Sequence, residues 1–91
     1  MNARNVILNS QHSKRPFDIA TQYGTVTAQR DGAFVYACTI GGHPAGVVFV
    51  NRPGTETLYT ASSPDFVTEW HRDTLEECAE MLALAHLEAT Q

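Results

Sequence analysis

Much of what would place this chain quickly is missing from it. Its 91 residues hold two cysteines, Cys38 and Cys78, too few and too far apart for a disulfide scaffold. Both lie in apolar-patterned segments, where a free thiol behaves as a small hydrophobe. They read as reduced core residues. No apolar run approaches the roughly 18 residues that a membrane-spanning helix needs. The stretch from Met1 to Arg15 is too polar for a signal peptide, so a cytoplasmic protein is expected. Charge is also sparse, at 18% of residues, while 43% are hydrophobic. That balance belongs to a globular chain and not to a disordered one. Six Lys and Arg in all leave little to hold a phosphate backbone. Nucleic-acid binding is therefore not expected beyond a weak contact through Arg4, Lys14 and Arg15.

Motifs that carry chemistry are absent too. The histidines His12, His43, His71 and His86 form no His-x₃-His or His-Glu-x-x-His pattern, and the cysteines form no Cys-x-x-Cys. No metal and no cofactor are expected. Gly41-Gly42 is too short for a phosphate-binding fingerprint, and no Gly-x-Ser-x-Gly surrounds Ser62-Ser63. His86 and Cys78 fall in one helical segment about 12 Å apart along its axis, too far to touch. A thiol or histidine enzyme would have to pair Cys38 with a distant residue such as His71. Catalysis is not expected; a small thiol- or histidine-dependent enzyme is the alternative that this pairing keeps open.

What the chain does have is a β-rich middle and one clear helix. Residues 1–15 read as a flexible arm whose Val6-Ile7-Leu8 triplet could add an edge strand. Residues 16–91 read as a single α+β domain. Asp31-Gly32 between two β-patterned runs predicts a two-residue hairpin. It would set Arg30 against Ala33, Ala28 against Val35 and Val26 against Ala37. A turn at Gly41-Gly42-His43-Pro44 leads to a strand over Ala45 to Val50, with Cys38 opposite Val47 and Tyr36 opposite Phe49. Arg52-Pro53-Gly54 and Ser62-Ser63-Pro64-Asp65 break the chain again, around Thr57 to Ala61 and before a short run from Phe66 to His71. The sum is an antiparallel meander of four to five strands.

Asp73 or Thr74 can cap the helix that follows, each having a glutamate three residues on. Leu75, Cys78, Ala79, Leu82, Ala85 and Ala89 then follow the 3.6-residue period along one apolar face packed on the sheet. Burying Leu75 and Leu82 contributes on the order of 3–6 kcal/mol.

These registers leave a surplus. One face collects Tyr36, Cys38, Ile40, Val47, Phe49 and Leu58; the other collects Val26, Val35, Ala37, Val48, Val50 and Tyr59. One helix covers one face. The helix back adds Leu84 and Leu87 among Glu76, Glu77, Glu80 and Glu88, an apolar patch bordered by carboxylates. The net charge of −4 is uneven, basic at the start and acidic from Glu56 onward. A homodimer, or a protein partner with a basic surface, is expected, with Glu76, Glu77, Glu80, Leu84, Leu87 and Glu88 as the partner-binding residues. The functional expectation is a non-catalytic interaction module, an inhibitor, adaptor or regulator that acts by surface occupation. A structural homo-oligomer with no other partner is a further alternative. Phage-encoded inhibitors of host defence, anti-CRISPR proteins included, are often small acidic domains; that analogy rests on size, charge and expected fold alone.

Overall fold

Short turns and β-branched runs lay the chain from Phe17 to Arg72 down as one antiparallel meander, and a C-terminal helix closes it. The computed structural model describes residues 15–90. Of the arm read from the sequence, only Arg15 is among them; the Val6-Ile7-Leu8 triplet lies outside the described residues. The strands are β1 (Phe17–Thr21), β2 (Gly24–Arg30), β3 (Val35–Ile40), β4 (His43–Val50), β5 (Tyr59–Ser62) and β6 (Glu69–Arg72), hydrogen-bonded in chain order. Helix α1 (Leu75–Ala89) packs across one face of the sheet. This is the expected α+β meander and helix, with six strands where four to five were expected. The extra strand comes from splitting residues 17–30 at Gln22-Tyr23. There Thr21 folds the backbone back, its hydroxyl donating to the Gly24 carbonyl at 2.6 Å and accepting from the Tyr23 N–H at 3.1 Å.

The hairpin registers differ from the sequence reading, and burial is the reason. Asp31-Gly32 does not make a two-residue turn. Arg30 pairs with Tyr36 and Ala28 with Cys38, and the Asp31 N–H reaches the Val35 carbonyl at 2.9 Å, so the loop spans Gly32, Ala33 and Phe34. This register sets Val26 and Ala28 on the same face as Tyr36 and Cys38. The expected one would have split those four side chains between the two faces. The tight turn falls instead at Gly41-Gly42, where Ile40 pairs with His43. Both glycines have positive φ, 57° and 82°, as a primed hairpin turn requires.

The register slips again between β3 and β4. Cys38 pairs with Gly46 but Thr39 pairs with Pro44, which leaves Ala45 as a bulge residue. Beyond the bulge Tyr36 faces Val48, not Phe49, and Ala37 faces Val47. Gly46 sits where the helix comes closest to the sheet. A Cβ there would collide with the Ser62 carbonyl and lie 2.8 Å from Leu82 Cδ2, at a φ of 135°. Only glycine fits both the backbone and the gap.

The shifts gather the largest apolar side chains under the helix. Val26, Ala28, Tyr36, Cys38, Val48 and Ala61 are buried there against Leu75, Cys78, Ala79, Leu82 and Ala83. Phe17 meets Tyr36 edge-on, ring centroids 6.0 Å apart. Ala83 replaces Ala85 and Ala89 in the expected helix face; Ala85 is half-buried and Ala89 exposed. The other face keeps Val35, Ala37, Val47 and Phe49 at its centre, and among the described residues no element packs on it. The expected two-sided surplus is thus reduced to one apolar strip.

Candidate interaction surface

Thr74, one of the two expected caps, starts α1. Its hydroxyl accepts from the Glu77 N–H at 3.1 Å and donates to the Glu77 carboxylate at 2.9 Å. Asp73 does not cap. With the helix phase set this way, Glu77, Leu84 and Glu88 point away from the sheet, and Glu76, Glu80 and Leu87 flank them at about 100° per residue. Glu76, Glu77 and Glu88 are exposed, Glu80 and Leu84 half-buried, and Leu87 is 39% exposed. The six expected partner-binding residues therefore share the solvent half of α1. They spread along about 18 Å of its length and do not converge on one point.

A second feature escaped the sequence reading, which ran a strand from Phe66. Pairing starts only at Glu69, and residues 63–68 form a tightly tied loop. The Phe66 N–H donates to the Ser63 carbonyl at 2.9 Å, with Pro64 and Asp65 at the turn's centre. The Ser63 N–H closes the loop on the Thr68 carbonyl at 2.9 Å. Inside it, the Asp65 carboxylate accepts from the Ser63 hydroxyl at 2.7 Å and from the Val67 N–H at 3.1 Å, and the Ser63 oxygen accepts from the Thr68 N–H at 3.1 Å. Those donors, the Ser63 hydroxyl foremost, hold the Asp65 carboxyl below its ordinary pKa.

This scaffold holds Phe66 at a φ of 62°, the one positive value among the described non-glycine residues. Hairpin loops ordinarily place Gly or Asn in this left-handed conformation. Here it carries a benzyl group that is 63% exposed, followed by Val67 at 79%. The signal available in the sequence was Ser63-Pro64-Asp65, a strong turn tripeptide set directly before two apolar residues. The left-handed φ at Phe66 had no signal at all.

Between this loop, the β3–β4 turn and the end of α1 lies a cleft of about 330 Å³, lined by Pro44, Ala45, Pro64, Ala85, His86 and Ala89, among others. Its polar groups from the loop are Ser63 and Asp65, whose hydrogen bonds hold the loop itself. The cleft thus adds apolar surface between the loop that carries Phe66 and the last turns of α1.

The groups with catalytic potential are placed differently. Cys38 and Cys78 are free thiols buried as neighbours in the core. Burial, with the neighbouring Cys78 thiol adding to it, pushes Cys38 up to about 12. Cys78 is pushed up to about 11, again mainly by burial. Both stay protonated at neutral pH, and only thiolates are nucleophiles. His71 pairs with Thr60, not with Cys38. Asn51 donates its amide to the Thr57 carbonyl at 2.9 Å and so turns Oδ1 toward Thr60, whose hydroxyl donates to it at 2.8 Å. That spends the one hydroxyl proton. Thr60 can then only accept from His71 Nδ1, 3.0 Å away, and His71 cannot serve as its base. Among the described residues no group of His, Cys, Asp or Glu is arranged to hold a metal ion, and no helix is long and apolar enough to cross a membrane.

Comparison with protein-family models, curated proteins and solved structures finds no match for this chain, so its geometry alone has to carry the functional reading.

Proposed function

We propose that this protein is a non-catalytic interaction module, an inhibitor, adaptor or regulator that works by occupying a surface of another protein. The observation that carries this reading is Phe66. A large aromatic side chain is held in a backbone conformation that disfavours it, on a loop tied by five hydrogen bonds, and projects into solvent. Neither the strain nor the exposure helps the fold; backbone strain of this kind gathers at functional sites. An aromatic on a rigid support is also what an interface anchor needs, because little side-chain freedom remains to be lost on binding. The carboxylates of α1, on the helix whose last turns line the cleft, suit a partner whose surface is basic.

Affinity capture from cell lysate with three baits tests the reading: the wild type, Phe66→Asn, and the double variant Glu77→Lys with Glu88→Lys. Asn tolerates the left-handed backbone, so Phe66→Asn removes the ring and keeps the loop. A partner recovered by the wild type should bind Phe66→Asn roughly thirtyfold more weakly, about 2 kcal/mol for an anchoring aromatic. Charge reversal should lower its affinity and flatten its salt dependence. Recovery that is indifferent to both changes, or no recovery above a scrambled bait, overturns the proposal.

A further inference from the structure

The cleft between the 63–68 loop and the last turns of α1 contains a charged atom that the loop's own folding does not use. Both internal bonds to the Asp65 carboxylate end on one oxygen. Oδ1 accepts from the Ser63 hydroxyl at 2.7 Å and from the Val67 N–H at 3.1 Å. Oδ2 takes no donor among the described residues, although Asp65 lines the cleft. The carboxylate is thus fixed through one oxygen and open at the other. None of the described Lys or Arg residues stands near it in the fold. Arg30 and Arg72 end β2 and β6, Arg52 follows β4 and Arg15 precedes β1. All four belong to the end of the meander opposite the β3–β4 turn and the 63–68 loop. The C-terminal end of α1, the negative pole of its dipole, adds to the same sign, since Ala85, His86 and Ala89 also line the cleft.

We infer that this cleft receives a lysine side chain of the partner protein, its stem against Pro44, Ala45, Pro64, Ala85 and Ala89 and its ammonium on Asp65 Oδ2. Chemistry selects this occupant. A purely apolar side chain would fill the cleft but leave Oδ2 desolvated without a donor. An acidic one would set like charges together. A long stem with a cationic tip answers both the apolar walls and the open oxygen. Between the two such side chains, the hydrogen bonds favour lysine. The arginine fork binds best when it engages both oxygens of a carboxylate, and Oδ1 already accepts two donors. An ammonium is a point charge that one oxygen satisfies. Size agrees: about 330 Å³ is at the lower end for ligand clefts, room for one long side chain and not for an element of structure. The inference rests on the reading of the Phe66 loop as a partner surface, because Ser63, Pro64 and Asp65 of that loop form one wall of the cleft.

The test is a titration of the full chain, labelled at its alanine methyls, with n-pentylammonium and with 1-pentanol, followed by NMR at low salt. The two probes have the same length and differ in charge. Both should shift the methyls of Ala45, Ala85 and Ala89, with n-pentylammonium binding about threefold more tightly, the scale of an exposed ion pair. Added salt should remove that advantage. So should Asp65→Asn, whose amide oxygen still accepts from Ser63 and Val67 while its NH₂ replaces the open oxygen. n-Pentylguanidinium should bind no more tightly than the ammonium. Cleft methyls that do not respond, equal affinity for alcohol and ammonium, a preference that survives Asp65→Asn, or a tighter guanidinium each overturn the inference. Asp65→Asn as a further bait in affinity capture separates this inference from the Phe66 reading. A partner lost with Phe66→Asn but indifferent to Asp65→Asn overturns the lysine and leaves Phe66 as anchor. A partner weakened by Asp65→Asn but indifferent to Phe66→Asn does the reverse.

Discussion

Val47 and Val48 are successive residues of one strand with the same side chain, yet they belong to two different environments. Val48 is fully buried beneath Leu82 and its helix, while Val47 is half-buried on the open face beside Ala37. The same contrast holds across the whole sheet. The covered face carries the ring of Tyr36, the core thiols and the aliphatic contacts of α1. The open face carries a narrow apolar strip between rows of threonine and other polar side chains. What separates them is a single bulge. Without the slip at Ala45, Tyr36 would meet Val47, and Val47 and Phe49 would lie under the helix in place of Val48 and Val50. The lesson is that apolar content does not decide which face becomes the core. Register does, and here register is set by where glycine lets the chain bend and where the helix must come close.

The harshest way to break the contrast is Gly46→Ala. The new methyl would collide with the Ser62 carbonyl and with Leu82, at a φ that L residues rarely adopt. Overpacking and backbone strain together should remove about 4 kcal/mol, read as a fall in the urea midpoint with little change of slope. A gentler cut compares the two valines directly. Val48→Ala should cost about 2 kcal/mol through lost burial and an unfilled gap, and Val47→Ala less than about 1 kcal/mol. Equal losses at the two sites, measured well below any association, would mean that the faces are not distinguished as described.

The sequence was legible where a signal is local and strong. Thr74 with Glu77, and the spacing of Leu75, Cys78, Ala79 and Leu82, marked the helix and its buried side. The order of strand and turn signals marked the meander. Register was harder, for a physical reason. Asp31-Gly32 is the stronger hairpin dipeptide in general, but following it would have divided Val26 and Ala28 from Tyr36 and Cys38. Tertiary burial of those four side chains outweighs a turn preference worth far less. The bulge at Ala45 depends on the close approach of Gly46 to Leu82, far apart in the chain and invisible to any local pattern. For the interaction surface, the acidic helix was legible from periodicity, whereas Phe66 looked like the start of a strand. Its left-handed backbone is imposed by Ser63, Asp65 and Thr68 acting together.

Phe66 sharpens the contrast from another direction, because it is an apolar residue that no face buries. On the covered face, replacing an aromatic by asparagine would be ruinous. At Phe66 the same change should raise stability by about 0.5–1 kcal/mol, since asparagine accepts the left-handed backbone and little burial is given up. Thermal unfolding of Phe66→Asn beside the wild type checks this. A loss of 1 kcal/mol or more would show that the ring packs on the protein's own surface and is not held out for a partner.

The smallest effect concerns what holds that ring in place. Asp65 is fully exposed, yet its pKa is lowered, first by the Ser63 hydroxyl and then by the Val67 N–H. A carboxyl whose folded pKa lies below its unfolded value stabilises the structure above the unfolded value, and that contribution disappears as pH falls through the folded one. The loop should therefore keep its geometry through mildly acidic solution and loosen only below the ordinary aspartate range. The Val67 amide chemical shift, followed by NMR from neutral to strongly acidic pH, should titrate with a midpoint beneath that of an exposed aspartate. Asp65→Asn should abolish the titration while keeping the amide near its neutral-pH position, because the asparagine oxygen still accepts from both donors. A midpoint at or above the ordinary aspartate range would detach the carboxylate from Val67. It would also leave Phe66 on a loop that moves freely, and an exposed aromatic on a mobile loop must be ordered at the moment of binding. The rigidity of this exposed loop is what distinguishes an anchor from an accident of the surface, and Asp65 is the residue on which that rigidity turns.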